Sequence, residues 1–249
     1  MKERNWFLIV YLLPLMLVPS VLAQVNPVYQ RMIQNGWKYP FENGFRKPTP
    51  PELDSESCKT MGYTDSTVAN LKEMGVDLLE RWKIRPWDEK MWTALSDCIV
   101  IGTVSKIEHP SWPIPWYHTV AYVQVEEFLR NDYGLPKAQV AVLEVSGPTG
   151  RPGERVTRIG EDTLNIGEHV LLFLSGSGLI TTAALNSQQN LYNYLINDSN
   201  VWFEMLARYD IQSDQLLSKR EKQILSLSQM RNEIGRVLSV IHRTVPVDK

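Results

Sequence analysis

Cys98-Ile99-Val100-Ile101-Gly102-Thr103-Val104 is a β-branched run that decides how the rest of the chain is read. Helices disfavour a dense series of β-branched residues because their χ1 freedom is lost against the preceding turn, whereas strands accept them. The run therefore reads as a strand, and Gly102 within it permits a close approach. The next regular stretch, Tyr117 to Phe128, alternates: Thr119, Ala121, Val123 and Val125 share one face, and Tyr122, Gln124 and Glu126 share the other. That period of two predicts a second strand. Ala138 to Val145 reads as a third, ended by Gly147-Pro148, and Val170 to Leu174 as a fourth. Leu179 to Ala183 and Leu191 to Ile196 read as a fifth and a sixth. Short strands at this spacing, joined by Gly/Pro/Asn loops, predict a small antiparallel barrel or sandwich.

Helical patterns flank this core. Thr64-Asp65-Ser66 offers caps, and Val68, Leu71, Met74, Leu78 and Trp82 follow at helical spacing. Pro86 suits a first helical turn, and Trp87 to Leu95 reads as a short helix with Asp88 and Glu89 near its positive end. Ser218 and Glu221 form a capping-box pattern, and Ile224, Leu227, Met230, Ile234, Val237, Leu238 and Ile241 make one apolar stripe. The stripe predicts a helix packed on the barrel, the alternative being a partner or membrane surface. The fold class expected is α+β: a small closed or partly open antiparallel β-barrel, OB-like, with N- and C-terminal helices packed on it.

The first 23 residues read as a secretory signal. Lys2 and Arg4 give a basic start, Phe7 to Val21 is almost entirely apolar, and Val21-Leu22-Ala23 fits a signal-peptidase site. The apolar run is about 15 residues, short of the roughly 18 to 20 that span a bilayer. Pro14 and Pro19 weaken a membrane helix further. Cleavage would leave Gln24 first; an uncleaved anchor is the alternative. The expected organisation is a signal at 1–23, a Pro- and aromatic-rich extended arm at 24–63, a helical lead-in at 64–96, a barrel core at 97–200 and a helical segment at 201–249.

Export bears on Cys58 and Cys98, the only two cysteines. A lone pair in an oxidising compartment is expected to form a disulfide. Its loop of about 40 residues would be worth roughly 4 kcal/mol in the chain-entropy model. The alternative is two thiols, with Cys98 serving as a small apolar residue entering a strand. The formal net charge of −2 in 249 residues, spread along the chain, gives no basic footprint for nucleic acid.

Trp87 to Ile241 resembles a broad group of exported bacterial domains of unknown function. The resemblance rests on Leu95-Ser96-Asp97-Cys98-Ile99-Val100-Ile101-Gly102-Thr103-Val104, on Gly167-Glu168-His169-Val170-Leu171-Leu172-Phe173-Leu174, and on the closing stripe Leu227 to Ile241. It implies an OB-type barrel, similar in outline to netrin-like modules and tissue inhibitors of metalloproteinases. In the pattern Asp97 ends a helix and Gly167 makes a turn before a strand. This chain departs from it: Leu129-Arg130-Asn131-Asp132 replaces the usual Lys-Gly after the hairpin strand. The inhibitors chelate zinc through an N-terminal cysteine, and a start at Gln24 does not carry that mechanism over.

Catalytic patterns are weak. His109, His118 and Glu108 flank one loop and offer imidazole and carboxylate ligands, but without the spacing of a zinc site. No metal and no cofactor is expected. Glu126-Glu127, Glu144 and Glu154 offer carboxylates for glycoside hydrolysis, or simply solvated acids on strands. Ser175-Gly176-Ser177-Gly178 lacks the spacing of a nucleophile elbow and reads as a loop. The unusual segment is His109-Pro110-Ser111-Trp112-Pro113-Ile114-Pro115-Trp116-Tyr117. Its prolines stiffen an extended path, and Trp112, Ile114, Trp116 and Tyr117 form a candidate binding knob or a surface for sugar rings. The alternative is that the rings fold back on the body. The function expected is an exported, non-enzymatic binding module for an envelope or extracellular protein or glycan. An inhibitor-like or accessory module, or a hydrolase with an unidentified acidic site, is the alternative.

Overall fold

The computed structural model describes residues 26–34, 63–78, 80, 88–110, 117–149, 153–156, 163–185, 189–218 and 224–241. The expected signal segment and Cys58 lie outside them. β1 (Cys98–Glu108) grows from the β-branched run and pairs antiparallel with β2 (Thr119–Asn131). β3 (Gln139–Glu144) adds to the far side of β2, and β6 (His169–Ser175) to the far side of β1. Between them lies a small hairpin, β4 (Gly147–Pro148) with β5 (Arg155–Val156). β7 (Trp202–Gln212) pairs antiparallel with β6 and parallel with β3, matching Ala141 to Trp202 and Val142 to Phe203. That one parallel pairing closes a ring, β1-β2-β3-β7-β6. β8 (Gln215–Leu217) and β9 (Ile224–Ser226) extend the sheet from β7.

Register shifts between Ile99 and Val100, Ile101 and Gly102, and Val104 and Lys106 bend the long β1–β2 pair. Bulges add twist, which a closing sheet needs. Gly102 sits in this bent region: a Cβ there would meet the Gln124 carbonyl oxygen at 2.3 Å. Only glycine permits the strands to approach so closely.

Alternation along β1 and β6 divides the apolar residues between two cores. Val100, Leu172 and Leu174 join Val123, Val142 and Phe203 in one cluster. Ile99, Ile101, Leu171 and Phe173 join Tyr209, Ile211 and Leu216 in another, which Met230 and Ile234 complete. Those last two belong to α6 (Leu227–Val240), so the C-terminal stripe packs on the sheet as expected. Val237 of α6 meets a third cluster with Leu71 of α2 (Asp65–Glu73) and with Met91 and Leu95 of α3 (Glu89–Leu95). Each fully buried aliphatic side chain of this kind contributes about 1.5–3 kcal/mol. Thr64 and Asp88 cap α2 and α3 through bonds to the Thr67 and Met91 amides.

Several expectations are corrected. Leu179 to Ala183 lies in α4 (Gly176–Leu185) and Leu191 to Ile196 in α5 (Gln189–Asn197), both helices and not strands. Of the segment 201–249 expected to be helical, Trp202–Gln212, Gln215–Leu217 and Ile224–Ser226 instead form β7 to β9, while Leu227–Val240 is helical. α6 begins at Leu227 behind Ser226, well past the Ser218–Glu221 pattern. The arm carries α1 (Pro27–Gln34), which buries Tyr29 edge-on against Tyr133 with ring centroids 6.1 Å apart. The expected disulfide is not formed at Cys98, which is a free thiol. Cys98 is fully buried in the core cluster, where desolvation pushes its pKa well up and favours the uncharged thiol. Among the described residues no helix is long and apolar enough to cross a membrane.

Candidate functional site

Of the expected binding knob, Trp112, Ile114 and Trp116 lie outside the described residues. Tyr117 is half-buried and packs against the main core cluster. The base of the loop is fixed by a short series of bonds. The His118 amide donates to the Glu144 carbonyl at 3.0 Å. The Thr119 hydroxyl, buried, donates to the Ser146 carbonyl at 2.6 Å. His109 Nδ1 lies 3.1 Å from the same Thr119 oxygen. Gly147 makes this closure possible, since a Cβ there would stand 2.4 Å from Thr119 Oγ1. The loop between β1 and β2 is therefore anchored to the turn after β3.

Beside that base, β2, β3 and β7 bring Tyr122, Ala141 and Trp202 into register on one face. α5 adds Tyr194, whose ring centroid is 6.3 Å from that of Trp202. Tyr122 and Tyr194 are both half-buried and pack against the core cluster. The Tyr122 hydroxyl donates to Glu108 Oε2 at 2.9 Å. Lys106 pairs with the same carboxylate and places Nζ 5.5 Å from the Tyr122 ring centroid. Tyr194 is hydrogen-bonded to Asp198. Two phenol–carboxylate pairs thus stand together beside the base of the loop.

Their protonation states follow from these contacts. Hydrogen bonds from Lys106, then Tyr122, hold Glu108 below the usual carboxylate range. Burial, reinforced by Glu108, pushes Tyr122 up to about 12. Burial and then Asp198 raise Tyr194 likewise. At neutral pH Glu108 is ionised and both phenols keep their protons. An acid held low in this way is a poor proton donor and a good hydrogen-bond acceptor.

The other acids do not converge. Glu126 binds the Thr103 hydroxyl at 2.9 Å and His169 Nε2 at 3.1 Å on an exposed face. Glu127 pairs with Arg231 of α6 at 2.5 Å. Glu144 accepts the Leu164 amide at 2.9 Å, and Glu154 the Thr149 hydroxyl at 2.9 Å. Glu108 turns to Lys106 and Tyr122, not to the two loop histidines. Among the described residues no three His, Cys, Asp or Glu side chains assemble as metal ligands.

Sequence reasoning missed two features. Asp97, expected to end a helix, directly follows the C-cap of α3 and also caps α4 from a distance. Its carboxylate, 1% exposed, accepts the Gly176 and Ser177 amides at 2.9 Å each, the Ser177 hydroxyl at 2.5 Å and the Tyr133 hydroxyl at 2.8 Å. Ser175-Gly176-Ser177-Gly178, read as a loop, is the junction of β6 with α4. The partner of Tyr122 was the second miss. Glu108 and Tyr122 stand 14 positions apart, and the Lys106-x-Glu108 pair at the end of a strand was the available signal.

No family model matches the chain, and no curated protein matches it.

Proposed function

We propose that this chain is an exported, non-enzymatic binding module built on an OB-type barrel. Its ligand is an envelope or extracellular protein or glycan, engaged at the β1–β2 loop. The ring order, with one parallel pairing between its third strand and its last, supports the OB-type reading. OB-folds bind ligands with the face of their second and third strands and with the loops beside it, including that between the first two. In this chain that position holds Trp112, Ile114, Trp116 and Tyr117.

The observation that carries the proposal is the half-buried Tyr122–Glu108 and Tyr194–Asp198 cluster beside that loop. Aromatic groups held rigid at a polar surface are typical anchors of recognition. The buried acids Asp97 and Glu144 are engaged with backbone amides, which supports a binding role over an acid–base one. The net charge of −2 opposes a nucleic-acid ligand. Residues 1–23 support export.

The test is capture of a partner from the native envelope fraction. Trp112→Ala with Trp116→Ala removes two anchors, each worth on the order of 2 kcal/mol or more of binding. The double variant is expected to lose capture while its thermal unfolding stays nearly unchanged. Retained capture with a melting temperature lower by several degrees would place both rings in the core and end this reading.

A further inference from the structure

Tyr122 and Tyr194, with their two carboxylates, have a chemistry more specific than a general contact surface. We infer that they form a carbohydrate subsite, and that the ligand class is a neutral oligosaccharide. The inference rests on the binding reading above and deepens it. A sugar ring presents an apolar C–H face and a rim of hydroxyls. It is held by an aromatic face flanked by ionised carboxylates and a donor. Tyr122 supplies the face, Glu108 the main acceptor and Lys106 the donor, while Asp198, which already accepts the Asn200 amide and side chain and Tyr194, adds negative charge.

Three observations favour this ligand. The rings are preorganised: core packing fixes one end and a hydrogen bond to a carboxylate fixes the other. Little side-chain entropy is then lost when a ligand docks. The polar groups are open to solvent, with the Lys106 and Glu108 side chains 58% and 40% exposed. Glu108 has lone pairs beyond those used by Lys106 and Tyr122, so it can accept a sugar hydroxyl without losing them.

Charge also discriminates. A basic peptide would have to displace Lys106 from Glu108, and an acidic one would face Glu108 and Asp198 together. A neutral polyol brings no charge to compete with Lys106 for Glu108 or to be repelled by Glu108 and Asp198. Lys106 lies over the Tyr122 ring, but a cation–π contact this exposed is weak, so a sugar can shift the ammonium off the ring face while it stays paired with Glu108.

The experiment is calorimetric titration of the full chain with cellohexaose, chitohexaose and mannohexaose, and with hexalysine and hexaglutamate as charge controls. At least one sugar is expected to bind saturably. Tyr122→Ala and Tyr194→Ala are each expected to weaken it at least tenfold, and Glu108→Gln about fivefold. Glu127→Gln, on the α6 side of β2, is expected to leave it unchanged. Glu108→Gln is a change at an exposed site, so it remains informative if a tyrosine variant fails to fold. Absence of binding by all three sugars overturns the inference, as does sugar binding that Glu108→Gln does not weaken. Binding of hexalysine in place of the sugars assigns the surface to a basic peptide and overturns it too. If partner capture depends on Trp112 and Trp116 while no sugar binds, only this inference fails. If sugars bind through Tyr122 while capture ignores both tryptophans, the role of the loop fails and the subsite stands.

Discussion

The two ends of the β1–β2 hairpin handle polar groups in opposite ways. At the end where β1 starts and β2 stops, charged groups are buried and fully occupied. Asp97 is 1% exposed and binds four donors from α4 and Tyr133. Arg130, 5% exposed, donates to the Thr93 carbonyl at 2.6 Å, the Tyr63 hydroxyl at 3.0 Å and Asp132 at 2.8 Å. At the other end Glu108, Lys106 and Tyr122 bond to one another while remaining open to solvent. A buried charge must be satisfied within the protein or it destabilises the fold, whereas an exposed one can exchange its partners. The first end therefore fastens helices to the ring, and the second is suited to receive a ligand.

Breaking the fastened end has the largest consequence. Asp97→Ala removes a buried acceptor from two amides and two hydroxyls, so a loss of about 3 kcal/mol or more is expected, read by denaturant unfolding. A loss under about 1 kcal/mol would show that the buried network is not what holds α4 to β1. Gly102→Ala tests the bend between the two ends. Its Cβ meets backbone and not a flexible side chain, so the strands must separate, with an expected cost of about 1–3 kcal/mol. A neutral or stabilising effect would contradict the close approach.

The smallest effect belongs to the open end. Tyr122→Phe is expected to cost less than about 1 kcal/mol of stability. Its titration sharpens the contrast. The folded pKa of about 12 lies above the unfolded value of about 10. The contribution is thus complete below pH ~10 and is lost as pH rises through the folded pKa. Ultraviolet absorbance should show a phenol titrating near that value that Tyr122→Phe removes, and Glu108→Gln should bring it down. An unchanged titration in that variant would separate Tyr122 from Glu108.

What the sequence revealed depended on how local the controlling interaction is. β1 was readable from its β-branched run, β2 from a period of two, and β3 and β6 from short apolar runs, all of which need only neighbouring residues, and α6 because Met230, Ile234 and Val237 repeat at helical spacing. Leu179-Ile180-Thr181-Thr182-Ala183 misled because a short apolar run rich in β-branched residues fits either structure. Its helix is set by Asp97, about 80 positions earlier, which no local pattern exposes. β7 misled for the opposite reason: Glu204-Met205-Leu206-Ala207-Arg208 is a run of good helix formers held as a strand by pairing with β6 and β3. The Trp loop stood out by composition alone. The Tyr122–Glu108 pair did not, because it exists only once the hairpin closes.

Melting temperature and partner capture, measured side by side on Asp97→Ala and on Trp112→Ala with Trp116→Ala, test this division between the ends most directly. A crossed result is expected: the Asp97 variant melts many degrees lower yet captures its partner when kept below its transition, while the tryptophan variant melts as the parent does and captures nothing. Both properties falling together in either variant, or the two variants exchanging roles, would contradict it.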